Sequence, residues 1–169
     1  GDSSPGEVDT EPFALEGERY VKRRTLGEGG MGEVVLATDV WLGRDVAKKT
    51  IRGGDAEGTM GRRFLREARI QGQLEHPNIV PGYDRGRDDL GATAVQTKRV
   101  QGVTLRHALE KLRQGSAEVE EELSQRKLLA VLSQTAMALA YAHARGVVHR
   151  DLKPENIMLG EFGEVYVLD

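Results

Sequence analysis

His149-Arg150-Asp151-Leu152-Lys153-Pro154-Glu155-Asn156 is the stretch on which the reading of this chain turns. It places a carboxylate, an ammonium group and a carboxamide within six residues of loop, after an apolar helical segment. Before it lies a segment with helical spacing, about Ser124 to Ala144, in which Leu128, Leu129, Leu132, Ala136, Leu139 and Ala140 form an apolar stripe. Gly146 is its predicted stop. After it come two short runs, Ile157–Leu159 and Glu164–Leu168, hinged at Phe162-Gly163 and predicted as strands. The octet is therefore a polar loop carried between a helix and a strand pair. Its side chains suit transfer of an anionic group: a carboxylate to orient a hydroxyl, a cation for the moving charge, and hard oxygen donors for a divalent ion. Asp169, at the end of the last strand, adds a second carboxylate.

Far upstream, Gly27-Glu28-Gly29-Gly30-Met31-Gly32-Glu33-Val34 has the spacing Gly-x-Gly-x-x-Gly-x-Val. Glycines here serve either a hairpin that needs positive φ or a loop whose bare backbone N–H groups approach phosphate oxygens. A dinucleotide-binding site requires a helix directly after the glycines, but Glu33-Val34-Val35-Leu36-Ala37 reads as a strand. The Gly-Lys-Ser/Thr of the other common phosphate loop is absent. Strand, glycine loop, strand leaves a flap over nucleotide phosphates. On the third strand, Val46-Ala47-Lys48-Lys49 places Ala47 and Lys49 on one face and Lys48 on the other. Strand lysines are most often simply solvated, so Lys49 gains meaning only from the flap above it. A carboxylate on the next helix could hold its ammonium; Glu67 shares a turn with Phe64 and Ala68, while Glu57 and Glu75 compete on spacing alone.

The remaining pattern is mixed α and β. Tyr20–Leu26, Glu33–Thr38 and Asp45–Ile51 read as an antiparallel meander, followed by a helix over about Thr59–Leu74 that closes at His76-Pro77-Asn78. Ile79–Asp84 and Ala92–Val100 read as two further strands around the polar turn Arg85–Gly91. Thr104 is a candidate N-cap for a short helix to Arg113, with Gly115 past its end. Residues 1–17, rich in Gly, Ser, Pro and acids, read as a flexible acidic leader. The 169 residues contain no cysteine, which excludes disulfides and cysteine-ligated metals. Lys plus Arg total 24 against 27 Asp plus Glu, a net charge of −3 that gives no footprint for nucleic acid. The longest apolar run, Ala136–Ala142, is far short of the ~20 residues of a membrane span, and no signal peptide opens the chain, so a cytoplasmic location is expected.

Taken in order, the glycine loop, the strand lysine, the HPNIV segment (76–80), HRDLKPEN (149–156) and Asp169 resemble the protein kinase family over about residues 18–169. The GGMGEV loop and HPNIV are most similar to bacterial-type serine/threonine kinases. The resemblance implies an α+β kinase fold: a five-stranded antiparallel first lobe with one helix over 18–97, then a hinge and the first part of a mostly helical second lobe over 98–169. It further implies ATP and Mg²⁺ as cofactors and a protein Ser or Thr hydroxyl as acceptor. By the same resemblance Gly27, Glu28, Gly29, Gly30, Met31 and Gly32 cover the phosphates, and Val34 and Ala47 pack on adenine. Lys49 pairs with Glu67, Thr97 is the gatekeeper, and Lys98 to Val100 form the adenine-reading hinge. Asp151 is the catalytic base, Lys153 marks Ser/Thr specificity, Asn156 and Asp169 bind magnesium, and His149 shapes the loop. Lys48, Gln71 and Gly82 depart from the family's apolar habit, and the last two are expected to weaken the Lys49–Glu67 pair. The chain ends at Asp169, so the expectation is an incomplete catalytic domain with little turnover of its own. The alternatives are a pseudokinase acting as a nucleotide-binding scaffold, and a small-molecule kinase of related fold, which HPNIV and HRDLKPEN disfavour.

Overall fold

The computed structural model describes residues 18–29, 32–51, 58–87, 92–115, 117 and 123–168. The first half is a five-stranded antiparallel sheet in the order β1-β2-β3-β5-β4, built from β1 (Tyr20–Gly29), β2 (Gly32–Asp39), β3 (Arg44–Ile51), β4 (Gly82–Arg87) and β5 (Thr93–Lys98). One helix, α1 (Thr59–Gln71), connects β3 to the far edge strand β4 and packs on it. The second half has β6 (Gly102–Thr104), α2 (Leu105–Arg113), α3 (Gln125–Ala144), a single 3₁₀ turn (Pro154–Asn156), β7 (Ile157–Gly160) and β8 (Val165–Val167). Its three strands form a small antiparallel sheet, β6-β7-β8.

The meander follows from its sequence. β-branched runs alternate with turn residues, and Gly43 takes φ 62° in the tight link between β2 and β3, where a side chain would be strained. Asp39, at the end of β2, is wholly buried. Its carboxylate accepts two bonds from the Arg19 guanidinium, both 3.0 Å, and Arg19 also reaches Asp84 on the opposite edge strand at 3.0 Å. Tyr20 donates to the same Asp84 oxygen. The sheet thus curls until side chains of β4 meet the start of β1, although the two strands share no backbone bond. The Arg19 guanidinium holds the Asp39 carboxyl below its usual range, and burial pushes the Tyr20 phenol up to about 12.

Three expectations need correction. The fourth strand begins at Gly82, not Ile79, and runs to Arg87. Pro81 has no N–H to give a ladder, and the backbone just before it is committed elsewhere: Val80 N donates to Val167 O (3.1 Å) and Val167 N to Asn78 O (2.7 Å). The HPNIV segment therefore joins the two halves instead of extending the sheet. β6 was not expected from the sequence, being three residues long; Gly102, with φ 155° and its Cα pressed on the Leu159 carbonyl, lets it pair closely with β7. Finally, the apolar stripe of α3 is turned. The buried positions are Val131, Thr135, Ala138 and Ala142, with Leu128 packed beside them, whereas Leu129 and Leu132 are 61% and 56% exposed and Ala136 and Ala140 also face outward. This helix is apolar nearly all round, so periodicity could not set its phase. Thr135 tolerates the interior because its hydroxyl donates to Val131 O at 2.8 Å.

Two small cores hold the second half. Leu105, Val131, Ile157 and Val165 pack together, and Ile79, Ala138 and Val167 form the other, flanked by Leu74 and Tyr141. The second contains residues from HPNIV, α3 and β8, so it is the apolar joint between the halves. The cap expected at Thr104 is present, its Oγ1 accepting from His107 N (3.1 Å), and Ser124 caps α3 in the same way, its Oγ accepting from Lys127 N (3.4 Å).

Candidate active site

Sheet register builds one wall of the site. Val34 faces Lys49 across β2–β3, Lys49 faces Val95 across β3–β5, and one row further Leu36, Ala47 and Thr97 stand in line. Directly opposed residues share a face, so Val34, Ala47, Lys49 and Thr97 all lie on one side of the sheet. Lys48 lies on the other, opposite the buried Gln96. β1 and β2 run into the glycine loop until Gly29 opposes Gly32, and Gly27 and Glu28 are exposed on the approach. A Cβ at Gly32 would collide with the Thr50 backbone, so only glycine fits there. Gly30, Met31 and Asp169 lie outside the described residues, as does the leader.

The HRDLKPEN loop is held by a closed ring of hydrogen bonds. His149 Nε2 bonds to Leu168 O at 2.7 Å; a carbonyl only accepts, so this nitrogen carries the proton. The other ring nitrogen, Nδ1, then accepts from Asp151 N at 3.3 Å. Between them Arg150 adopts φ 68°, a left-handed conformation costly for a residue with a side chain, and it turns the Asp151 carboxylate outward. Asn156 Nδ2 donates to Asp151 O (2.9 Å), Asn156 N to Lys153 O (2.9 Å) and Leu168 N to Asn156 O (2.8 Å). Within this frame Lys153 Nζ reaches Asp151 Oδ2 at 2.7 Å. That ammonium holds the Asp151 carboxyl below its ordinary range and Asp151 in turn raises Lys153. The carboxylate therefore stays ionised, exposed to solvent and next to a cation. Glu155 is tied to α2 through Arg106 at 3.0 Å.

The structure brings Asp151, Lys153 and Asn156 together, and places Val34, Ala47, Lys49 and Thr97 on one sheet face. It does not bring Glu67 to Lys49 by any ion pair among the described residues. Glu67 is exposed, and its Oε1 accepts from Arg63 Nε at 2.9 Å, one turn back on α1.

Two residues that sequence reasoning did not single out prove central. Asn78 donates its side-chain amide to Gln134 Oε1 (3.0 Å) and to Val165 O (2.9 Å), fastening HPNIV to α3 and β8. Tyr166, 9% exposed on β8, accepts from Lys98 Nζ at 2.8 Å, joining the end of β5 to the strand that leads toward Asp169. This bond raises Lys98. An asparagine inside an otherwise apolar segment was the available signal for the first; nothing in the sequence links Lys98 to Tyr166.

With that geometry in place, comparison with known proteins is informative. The model of the protein kinase domain family matches residues 20–169, so the chain belongs to the protein kinase family. It is 43% identical over 157 residues to the serine/threonine-protein kinase PknD of Chlamydia muridarum, spanning 90% of this chain and 17% of that protein. To the probable serine/threonine-protein kinase PknB of Bifidobacterium longum it is 38% identical over 159 residues, spanning 94% of this chain and 23% of that protein. Among solved structures, the kinase domain of PknI from Mycobacterium tuberculosis superposes with a TM-score of 0.70 at 30% identity, covering 92% of this chain and 60% of that one. The chain is thus part of a serine/threonine protein kinase domain, about three fifths of the length of the solved domain it matches.

Proposed function

We propose that this chain carries the nucleotide-binding half and catalytic loop of a cytoplasmic enzyme that transfers the γ-phosphoryl of ATP to a protein Ser or Thr hydroxyl. The observation that carries the reading is the Asp151–Lys153–Asn156 arrangement: a carboxylate kept ionised, a lysine 2.7 Å from it, and an amide whose nitrogen is spent on Asp151 O. With Nδ2 so engaged, Asn156 Oδ1 is left as a hard oxygen donor, which fits a magnesium ion taking its other ligands from phosphate and water. Asp169 is the proposed second ligand. The ion, when bound with ATP, would neutralise phosphate charge.

On this reading each residue of the chain has a physical task. Asp151 orients the acceptor hydroxyl and takes its proton at a carboxylate oxygen. Lys153 offsets charge on the phosphoryl group in transit. Lys49 approaches the phosphates from the sheet wall, with Gly27, Gly29 and Gly32 closing over them beside Glu28, Gly30 and Met31. Val34 and Ala47 present a flat apolar surface for the base, and Thr97 and the Lys98–Val100 backbone border it. The test is calorimetric titration of the chain with Mg-ATP. Binding that Lys49→Met weakens at least tenfold supports the reading; equal affinity in both proteins overturns it.

A second reading, a nucleotide-binding scaffold without turnover, is favoured by one observation, the engagement of Glu67 by Arg63. Radiolabelled phosphoryl transfer by the whole protein, compared with its Asp151→Asn variant, separates the two.

A further inference from the structure

Helix α1 turns a row of arginines outward. Arg62, Arg66 and Arg69 stand at i, i+4 and i+7 and are all exposed, on the side away from the half-buried Phe64 and Ala68. The fourth arginine of the helix, Arg63, is spent on Glu67 at 2.9 Å. The side chains of Arg66 and Arg69 make no ion pair or hydrogen bond among the described residues. Like charges one turn apart repel, and an anionic neighbour removes that cost.

The chain's own excess of negative charge lies at its start. Of its 27 Asp and Glu and 24 Lys and Arg, residues 1–17 hold five acids and no Lys or Arg, so the rest of the chain is net positive. Three of the five, Glu7, Asp9 and Glu11, recur at every second position, and Pro12 disfavours a helical conformation at Glu11. In an extended chain alternate residues share one side at a spacing of about 6.6 Å, while neighbours in the α1 row stand about 5–6 Å apart. A row of acids at that spacing matches the row of arginines.

The chain also enters the fold beside this helix. Arg19 and Tyr20 both reach Asp84 of β4, at 3.0 and 3.1 Å. β4 is the strand on which α1 packs, and its first residue, Gly82, adjoins Gly72 just past the last turn of α1. Arg69 lies one turn before Gly72. Residues 12–18 reach about 23 Å when extended, enough to carry Glu11 from Arg19 to the arginine row.

We propose that the acidic segment of residues 7–11 docks on Arg62, Arg66 and Arg69, so that the start of the chain clasps the outer face of α1. The contact goes beyond the reading of the nucleotide site and is independent of nucleotide.

The chain has no cysteine, so Ser4→Cys and Gln73→Cys place two spin labels, one in the acidic segment's flank and one past the end of α1. Pulsed electron–electron double resonance on the full chain reads the distance between them. Docking gives a short, narrow distance. Arg66→Gln with Arg69→Gln removes two exposed ion pairs and should lower the ratio of docked to undocked chains about fivefold. About 1 M salt, which screens such pairs, should lower it as well. Arg66→Glu with Arg69→Glu should abolish the short distance, and adding Glu7→Lys, Asp9→Lys and Glu11→Lys should restore it. A distribution unchanged by the glutamine pair, with circular dichroism showing the parent's fold, overturns the proposal, and so does a failure of the reversed charges to restore docking. A short distance that arises only between singly labelled chains in a mixture overturns it too, since the occupant would then be a second copy.

Discussion

The HRDLKPEN loop and helix α1 carry the two halves of one proposed site, yet they are held in opposite ways. The loop is almost all exposed, but its backbone and side chains are locked by bonds from His149, Asn156 and Lys153, and its one strained residue, Arg150, is fixed between them. Helix α1 is regular, but Phe64, Leu65, Ala68 and Ile70 are only half-buried, Gly58 caps it without a side-chain bond, and its first turn has no acid. Regular secondary structure is therefore no guide to which part of this molecule is fixed. An exposed loop with several satisfied polar groups is better determined than a helix resting on one edge strand, because each directional bond removes a degree of freedom that apolar contact leaves open.

Substitutions can break this contrast or sharpen it. The largest effect is expected on the rigid side: in the whole protein, Asp151→Asn should lower kcat for phosphoryl transfer about 10²–10⁴-fold with the KM for ATP little changed, read by radiolabel incorporation. A comparable loss in KM instead would mean that the loop, not the carboxylate, had been damaged.

Next comes the buried corner of the first lobe. Asp39→Asn should cost about 3 kcal/mol in urea melts at pH 7, since it takes the charge from the two bonds Arg19 makes to a buried carboxylate, while Arg19 keeps its pair with Asp84. The pH dependence has a definite sign. Asp39 titrates lower folded than unfolded, so its contribution is complete above the unfolded carboxylate value near 3.9 and is lost as pH falls through the lower folded value. The gap between parent and variant should therefore close only in strong acid; a gap that closes between pH 7 and 5 would contradict this.

A smaller loss, about 2 kcal/mol, is expected for Asn78→Ala, which leaves the Val165 carbonyl and the Gln134 amide oxygen without their donor. Hydrogen exchange should rise in both HPNIV and β8. The smallest effect belongs to α1: Arg63→Ala breaks an exposed i,i+4 pair and should change stability by only a few tenths of a kcal/mol. A melt displaced by more than that would show α1 to be as tightly determined as the loop.

Much of this was legible beforehand, and for identifiable reasons. The meander, the cap at Thr104 and the loop position of HRDLKPEN all depend on residues close in sequence: turn glycines, a hydroxyl at a helix start, a polar run after an apolar helix. The opposition of Lys48 and Lys49 to different faces follows from alternation alone. What escaped were relations between distant segments. The phase of α3 depends on which side β8 and HPNIV occupy, and a helix with leucine or alanine on every face carries no record of that. The strand status of Ile79 and Val80 was lost to a competing partner 87 residues away, since Val167 takes the bond that Val80 would have given to a sheet.

The amino-acid sequence by itself determined the resemblance to the protein kinase family, the glycine spacing of residues 27–32, and the residue types at positions 49, 67, 151, 153, 156 and 169, because motifs and local propensity act over a few residues. Only the tertiary structure decided that Asp151 leans on Lys153, that Asn78 and Tyr166 tie the two halves together, and that Glu67 answers to Arg63. The physical reason is the range of the forces concerned. A hydrogen bond or ion pair acts within about 3 Å, so its partner is chosen by the last ångströms of packing.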